Sequence, residues 1–174
     1  MMSGITSRER HLPRQDRSAQ RVELILDTTA TLVDEVGYGN LSPALIARRA
    51  GMSGPAIYRY FTDLESIALA LAARNLERYL DRCREFLTDA SEWKDAIAAS
   101  VLAYADFFRY EPGFRQIRLG DTITHDLLVA RDSNKSMLAR AVSELFVEQF
   151  EVLPRTELVK HVEVMVEIGE CLIA

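Results

Sequence analysis

The chain has 174 residues, 48% of them hydrophobic and 27% charged, and a formal net charge of −5. That length bounds one globular unit or two small ones with a sizeable core, and the balance excludes a disordered or fibrous chain. The polar, basic N-terminus has no apolar signal-type run, and the stretch AIAASVLAYA at 96–105 is too short to span a bilayer. No membrane association is expected, and the reading is a cytoplasmic protein.

The acidic total hides an asymmetry. Residues 1–61 hold eight Arg against six acidic residues, a balance of +2, which leaves −7 for the remainder. A basic front joined to an acidic body suits a two-part protein whose front meets an anion. Gly and Pro are sparse while Ala, Leu, Glu and Arg are plentiful, a helical composition. Cys83 and Cys171 belong to no metal-ligand spacing and are expected to pack as small hydrophobes.

Residues 1–17 are polar and without period, the signature of a disordered basic arm. From Ser18 a helical stripe begins: Val22, Ile25, Leu26, Thr29, Val33 and Val36. Gly37 stops it in the manner of a C′ glycine, and GYGN is a connector. Ser42 is a good N-cap and Pro43 is tolerated at N1, so PALIARRA forms a second helix that Gly51 ends. Ser53 caps a third, with Pro55 in its first turn, running to about Phe61. Ile57 and Phe61 then face inward, while Tyr58, Arg59 and Tyr60 spread outward.

A fourth helix opens at Thr62-Asp63, with Glu65 in its first turn, and continues to about Leu87. Its expected buried stripe is Leu69, Ala73, Leu76, Leu80, Cys83 and Leu87, and its length suits a connecting rod. Further helices are expected near 92–109, with Ile97, Val101, Tyr104 and Phe108 in register, then 113–119 after the turn YEPGF, then 124–150. Pro154 breaks the chain before a last helix over 155–173, whose apolar arc is wide enough to be buried on more than one side. No strand alternation and no repeat is present. The expected fold is all-α, with a helix-turn-helix unit over 18–64 joined by the long helix to a regulatory and dimerisation bundle over 65–174.

Two short helices joined by a tight turn containing glycine, PALIARRA-GMS-GPAIYRYF, form a helix-turn-helix. The second helix of that motif enters the DNA major groove, its first residues against base edges. Small residues there let the backbone approach the bases. Ser53 and the helix start can take a phosphate, Tyr58 and Tyr60 are long enough to reach phosphates, and Arg59 can reach phosphate or guanine.

These residues carry a resemblance to the TetR family of bacterial one-component transcriptional regulators. The matching positions are Gly37-Tyr38, Ile46-Ala47, Ala50-Gly51-Met52-Ser53, Tyr58-Arg59-Tyr60-Phe61 and Glu65, within residues 20–67. The resemblance implies a homodimer that binds a palindromic operator, and a small molecule in the C-terminal bundle that releases the DNA. Repression is the usual outcome. It also implies phosphate contacts at Ser42, Ser53, Tyr58 and Tyr60, and base or groove contacts at Ala44, Gly54, Pro55 and Ala56, with Arg59 beside them. The sequence departs from the common pattern where Gly54 and Ala56 offer no side-chain hydrogen bond and Leu64 replaces a frequent lysine. Those departures put weight on Arg48, Arg49, Arg59 or DNA shape.

The resemblance further places an effector pocket in the C-terminal bundle. Its candidates are Trp93, Tyr104, Phe107, Phe108, Phe114, Ile117, His125, Met137, Phe146, His161 and Met165. Tyr104 and His161 would supply polar points to a largely apolar or aromatic effector. The family dimerises through its last two helices, and the sequence reaches Ala174 within the first of them; Val159, Val162, Val166 and Ile173 are the interface candidates. No cofactor or metal is implied. An enzyme is disfavoured, because His11, His125 and His161 are scattered and no HExxH, GxSxG or phosphate loop occurs. The alternative is a helical adaptor whose helix-turn-helix has become a protein-binding surface.

Overall fold

A computed structural model describes residues 14–87, 92–117, 139–148, 150 and 155–173, leaving aside the side chains at 14, 15, 93, 155, 156 and 169–173. Every helix or strand among the described residues is helical: α1 Arg14–Val36, a 3-10 turn Tyr38–Asn40, α2 Pro43–Arg49, α3 Gly54–Ile57, α4 Leu64–Leu87, α5 Trp93–Tyr110, α6 over 139–148, and α7 Arg155–Ile173.

The boundaries follow local chemistry. α1 starts at Arg14, two turns ahead of Val22, the first residue of its apolar stripe, so the expected disordered arm over 1–17 is helical from Arg14 onward. An exposed polar turn satisfies helix propensity without contributing to a hydrophobic period, which is why the stripe does not reveal it. Gly37 closes α1 with φ 77°, its N–H donating to the Val33 carbonyl at 2.9 Å. The Ser42 hydroxyl accepts from Leu45 N–H at 3.2 Å, ahead of Pro43 at the first helical position. α2 ends in a Schellman motif: Gly51, φ 65°, donates to Arg48 and Met52 donates to Ala47. α4 opens on Asp63, whose carboxylate accepts from Ser66 N–H at 2.7 Å while Ser66 Oγ accepts from Asp63 N–H at 3.2 Å. That reciprocal cap holds the Asp63 carboxyl below the usual carboxylate range, chiefly through the Ser66 N–H. Its stabilisation is present above the ordinary carboxylate pKa and fades as acid protonates the group.

Two apolar clusters divide the chain. The front cluster gathers Ile25, Leu26, Leu32 and Val33 of α1 with Ile46, Ile57, Ile67 and Leu71. The rear cluster gathers Tyr79, Cys83, Tyr104, Phe107, Phe114, Phe146 and Val162. The front cluster takes in α4 as far as Leu71 and Ala72, so packing changes hands there rather than at 64, where the sequence reading divides the chain. α4 packs against both α5 and α1. Its buried residues include Ile67, Leu71, Arg74, Asn75 and Tyr79; Leu69 and Ala73, expected in the core, are exposed. The expected helix near 113–119 is instead a set of turns as far as Ile117, beyond which it lies outside the described residues.

Candidate nucleic-acid interface

The second helix of the motif is shorter than its sequence suggests. α3 is one turn, Gly54–Ile57, and Tyr58–Tyr60 continue it as a tighter winding. Ala56 donates to Ser53, Arg59 to Ala56 and Tyr60 to Ile57, all three residues back, while Phe61 reaches four back, to Ile57. Gly54 and Pro55 are poor helix formers, and the three-residue winding favours short runs. The winding turns Tyr58 and Arg59 outward, whereas Tyr60, also expected outward, turns back toward the front cluster. Tyr58 is 58% exposed, Arg59 is exposed, and Tyr60 is half-buried against the front cluster.

The surface at the start of α3 is small and bare. Ser53, Gly54 and Pro55 are exposed and Ala56 half-buried; Ala44 at the start of α2 is exposed, and Ser42 half-buried. A Cβ built on Gly54 would meet nothing within 4 Å, and the residue has no positive φ. The chain's own packing therefore gives no reason for a residue that costs a helix about 1 kcal/mol against alanine. Ser53 makes no side-chain cap bond, so its hydroxyl is uncommitted. Ser42 accepts from Leu45 yet keeps its hydroxyl proton for an outside acceptor.

The arginines differ. Arg49 binds Glu35 of α1 with two bonds, Nη1 at 3.1 Å and Nη2 at 2.7 Å, tying α2 to α1. Those bonds hold the Glu35 carboxyl below its ordinary value and raise the guanidinium. Arg49 is thereby paired within the protein, though both side chains stay about half exposed. Arg48 and Arg59 are both exposed, and neither pairs with a described residue.

The front unit is fastened to the rear at two places. Arg74, only 8% exposed, reaches Asp27 at 2.7 Å and Glu23 at 3.2 Å on α1. Arg78 beside it binds Glu111, just past α5, at 2.7 Å. The turn after Glu111 then docks on α1: Gly113 N–H donates to Asp34 Oδ2 at 2.8 Å, and Ile117 is fully buried in the front cluster. Phe114, between them, belongs to the rear cluster.

In the rear bundle Tyr104, Phe107, Phe108 and Phe114 form one aromatic group, Phe107 and Phe114 meeting edge-to-face at 4.8 Å. A cavity of about 30 Å³ is lined by Tyr79, Ser100, Tyr104, Val142, Val162 and Met165, among others. Of the pocket candidates, Tyr104 and Met165 line it. Phe107, Phe108, Phe114 and Phe146 pack in or against the rear cluster, and Ile117 in the front one. His161 is not a pocket residue: it is exposed on α7, its Nδ1 donating to the Glu157 carbonyl at 2.7 Å. The side chain of Trp93 and residues His125 and Met137 lie outside the described residues. Three of the interface candidates pack inward. Val162 is 3% exposed, and Val159 and Val166 pack beside it against the rear cluster. That stripe faces the protein's own core, and among the described side chains of α7 the exposed large apolar residues are Val164 and Ile168. The Ile173 side chain lies outside the described residues.

Residues 25–71 match the family model for bacterial regulatory proteins of the tetR family, and residues 91–173 the tetracyclin repressor-like C-terminal domain. A TetR-family regulator of known structure from Streptomyces coelicolor is 34% identical, covering 87% of this chain and 81% of its own, with a TM-score of 0.73. The fatty acid degradation regulator FadR of Bacillus halodurans shares the fold at 19% identity, over 87% of this chain and 86% of its own, with a TM-score of 0.62. The HTH-type transcriptional activator FasR of Mycolicibacterium smegmatis is 28% identical over 130 residues, 74% of this chain and 58% of that one. Among the described residues no helix is long and apolar enough to cross a membrane. The chain spans about half to three-fifths of the curated relatives FasR and YobS of Bacillus subtilis. With both family models in chain order on a helix-turn-helix and a helical bundle, the chain belongs to the TetR family of DNA-binding transcriptional regulators.

Proposed function

We propose that the protein is a cytoplasmic homodimeric repressor that binds a palindromic operator and is released by a small, largely apolar or aromatic effector. The observation that carries the reading is the start of α3, where Gly54 is small without internal cause and Arg59 and Tyr58 project beside it. In this reading Ser42, Ser53, Tyr58 and Tyr60 meet phosphates; Ala44, Gly54, Pro55 and Ala56 meet the groove and thymine methyls; and Arg59 reaches guanine. Val164 and Ile168 on the outer face of α7 take over as the dimer residues. FasR is named an activator, so the sign of regulation is our reading and is not taken from that relative.

The test is a salt-dependent titration of operator duplex with wild type, Arg59→Ala and Arg49→Ala. Arg59→Ala is expected to cost about 1–3 kcal/mol of binding. Arg49→Ala is expected to leave the salt slope unchanged, because its guanidinium is held by Glu35. Equal affinity for wild type and Arg59→Ala would remove Arg59 from the interface. Sedimentation of the complex should give two chains per duplex.

A further inference from the structure

Asn75 is 1% exposed, and neither its Nδ2 nor its Oδ1 has a partner. Other small buried polar side chains behave differently. Thr29 donates to the Ile25 carbonyl at 2.8 Å and Ser100 to the Ala96 carbonyl at 2.9 Å, each satisfied by its own helix. Leaving a buried donor or acceptor unmade costs about 1–3 kcal/mol, and an apolar side chain of similar shape would avoid that cost. Asn75 also sits where the two cores meet. Leu71 and Ala72 before it belong to the front cluster, and Tyr79, one turn on and on the same helix face, belongs to the rear.

Tyr79 lines the cavity of about 30 Å³, with Ser100 and Tyr104 of α5 and Val162 of α7. That volume suits one water and falls far short of a ligand pocket, so an occupant must part the surrounding helices. Among the described residues no charged side chain lines the cavity, and the Arg74 guanidinium next along α4 is engaged by Asp27 and Glu23. An ionised head group would be desolvated there without a partner.

We propose that Asn75 is the polar anchor of the effector site, and that the effector is a neutral amphipathic molecule with one head group that both donates and accepts a hydrogen bond. The head pairs with the Asn75 amide, and the apolar body lies alongside Tyr79 and Val162 between α4, α5 and α7. This inference rests on the reading of the rear bundle as the sensor. It adds the ligand's chemistry and the place of its head, at the seam from which α4 continues into the reading unit.

The test uses the full chain with octanamide, which donates and accepts, and N,N-dimethyloctanamide, which only accepts. Binding is read by calorimetry and by the shift in melting temperature, for wild type and Asn75→Leu. Wild type should prefer octanamide by about tenfold or more, the loss of one buried hydrogen bond. Asn75→Leu should melt at or above wild type and bind the two amides equally; Asn75→Ala serves if the leucine variant fails to fold. Equal preference in wild type and variant would overturn the anchor and leave the sensor reading standing. Binding of neither amide to wild type would overturn the anchor together with an apolar effector. A leucine variant that melts well below wild type would show that the amide is satisfied by the protein itself, and would also overturn it.

Discussion

Gly113→Ala is expected to destabilise the chain by about 2–4 kcal/mol, read as a lower urea midpoint. Gly113 sits at φ 75°, a conformation that disfavours any residue with a Cβ. A Cβ there would lie 2.9 Å from the Ala30 Cα and 3.1 Å from Val33 Cγ1. The nearer atom is backbone in the middle of α1, so no rotamer change relieves the clash. Relief requires the turn to lift from α1, which breaks the Gly113–Asp34 bond and withdraws Ile117 from the front cluster. The substitution thus strikes the joint between the two cores. Asp34→Asn keeps the backbone and an acceptor, and should cost clearly less. Equal effects of the two would place the importance of this turn in the hydrogen bond alone.

Ile57→Ala is expected to cost about 2–5 kcal/mol and to abolish operator binding at concentrations where wild type is saturated. Ile57 is the one buried residue of α3 and is fully enclosed in the front cluster. Its carbonyl accepts from both Tyr60 and Phe61, so the placement of Tyr58, Arg59 and Tyr60 depends on where Ile57 is seated. A four-residue helix has little stability of its own and takes its position from that one anchor. Ile57→Val removes one methylene and should cost about 0.5–1.5 kcal/mol while DNA binding persists. A correctly folded Ile57→Ala protein with full operator affinity would show that the reading segment is positioned by other means.

What the sequence reveals and what it withholds divides along physical lines. The ends of α1 and α2 and the start of α4 are legible because Gly37, Ser42, Gly51 and Asp63 act on their own neighbours. Long periodic elements such as α7 are legible for the same reason. The buried face of α4 is legible in its second half, where Cys83 and Leu87 are buried as expected, but not in its first, because LESIALALAARNL is apolar on more than one side. Periodicity selects Leu69 and Ala73, whereas the structure buries Ile67, Leu71 and Asn75. Arg74 is buried through carboxylates 47 and 51 residues away, which no local pattern marks. The turn at YEPGF is legible as a turn, but its docking on Asp34 and Ala30 is a long-range fact. At the candidate interface, Tyr58 and Arg59 are exposed, as their place after Ile57 leads one to expect. Capture of Arg49 by Glu35 and burial of Val162 depend on partners that no local pattern announces.

The measurement that tests the central claim most directly is the affinity of the purified 174-residue chain for the duplex upstream of its own gene, against a scrambled duplex of equal length at physiological salt. A preference of about a thousandfold or more, falling steeply as salt rises, is the predicted result. Equal weak binding to both duplexes, persisting across a genome-wide selection of sites, would contradict it and would make the bare start of α3 a surface for protein rather than for DNA.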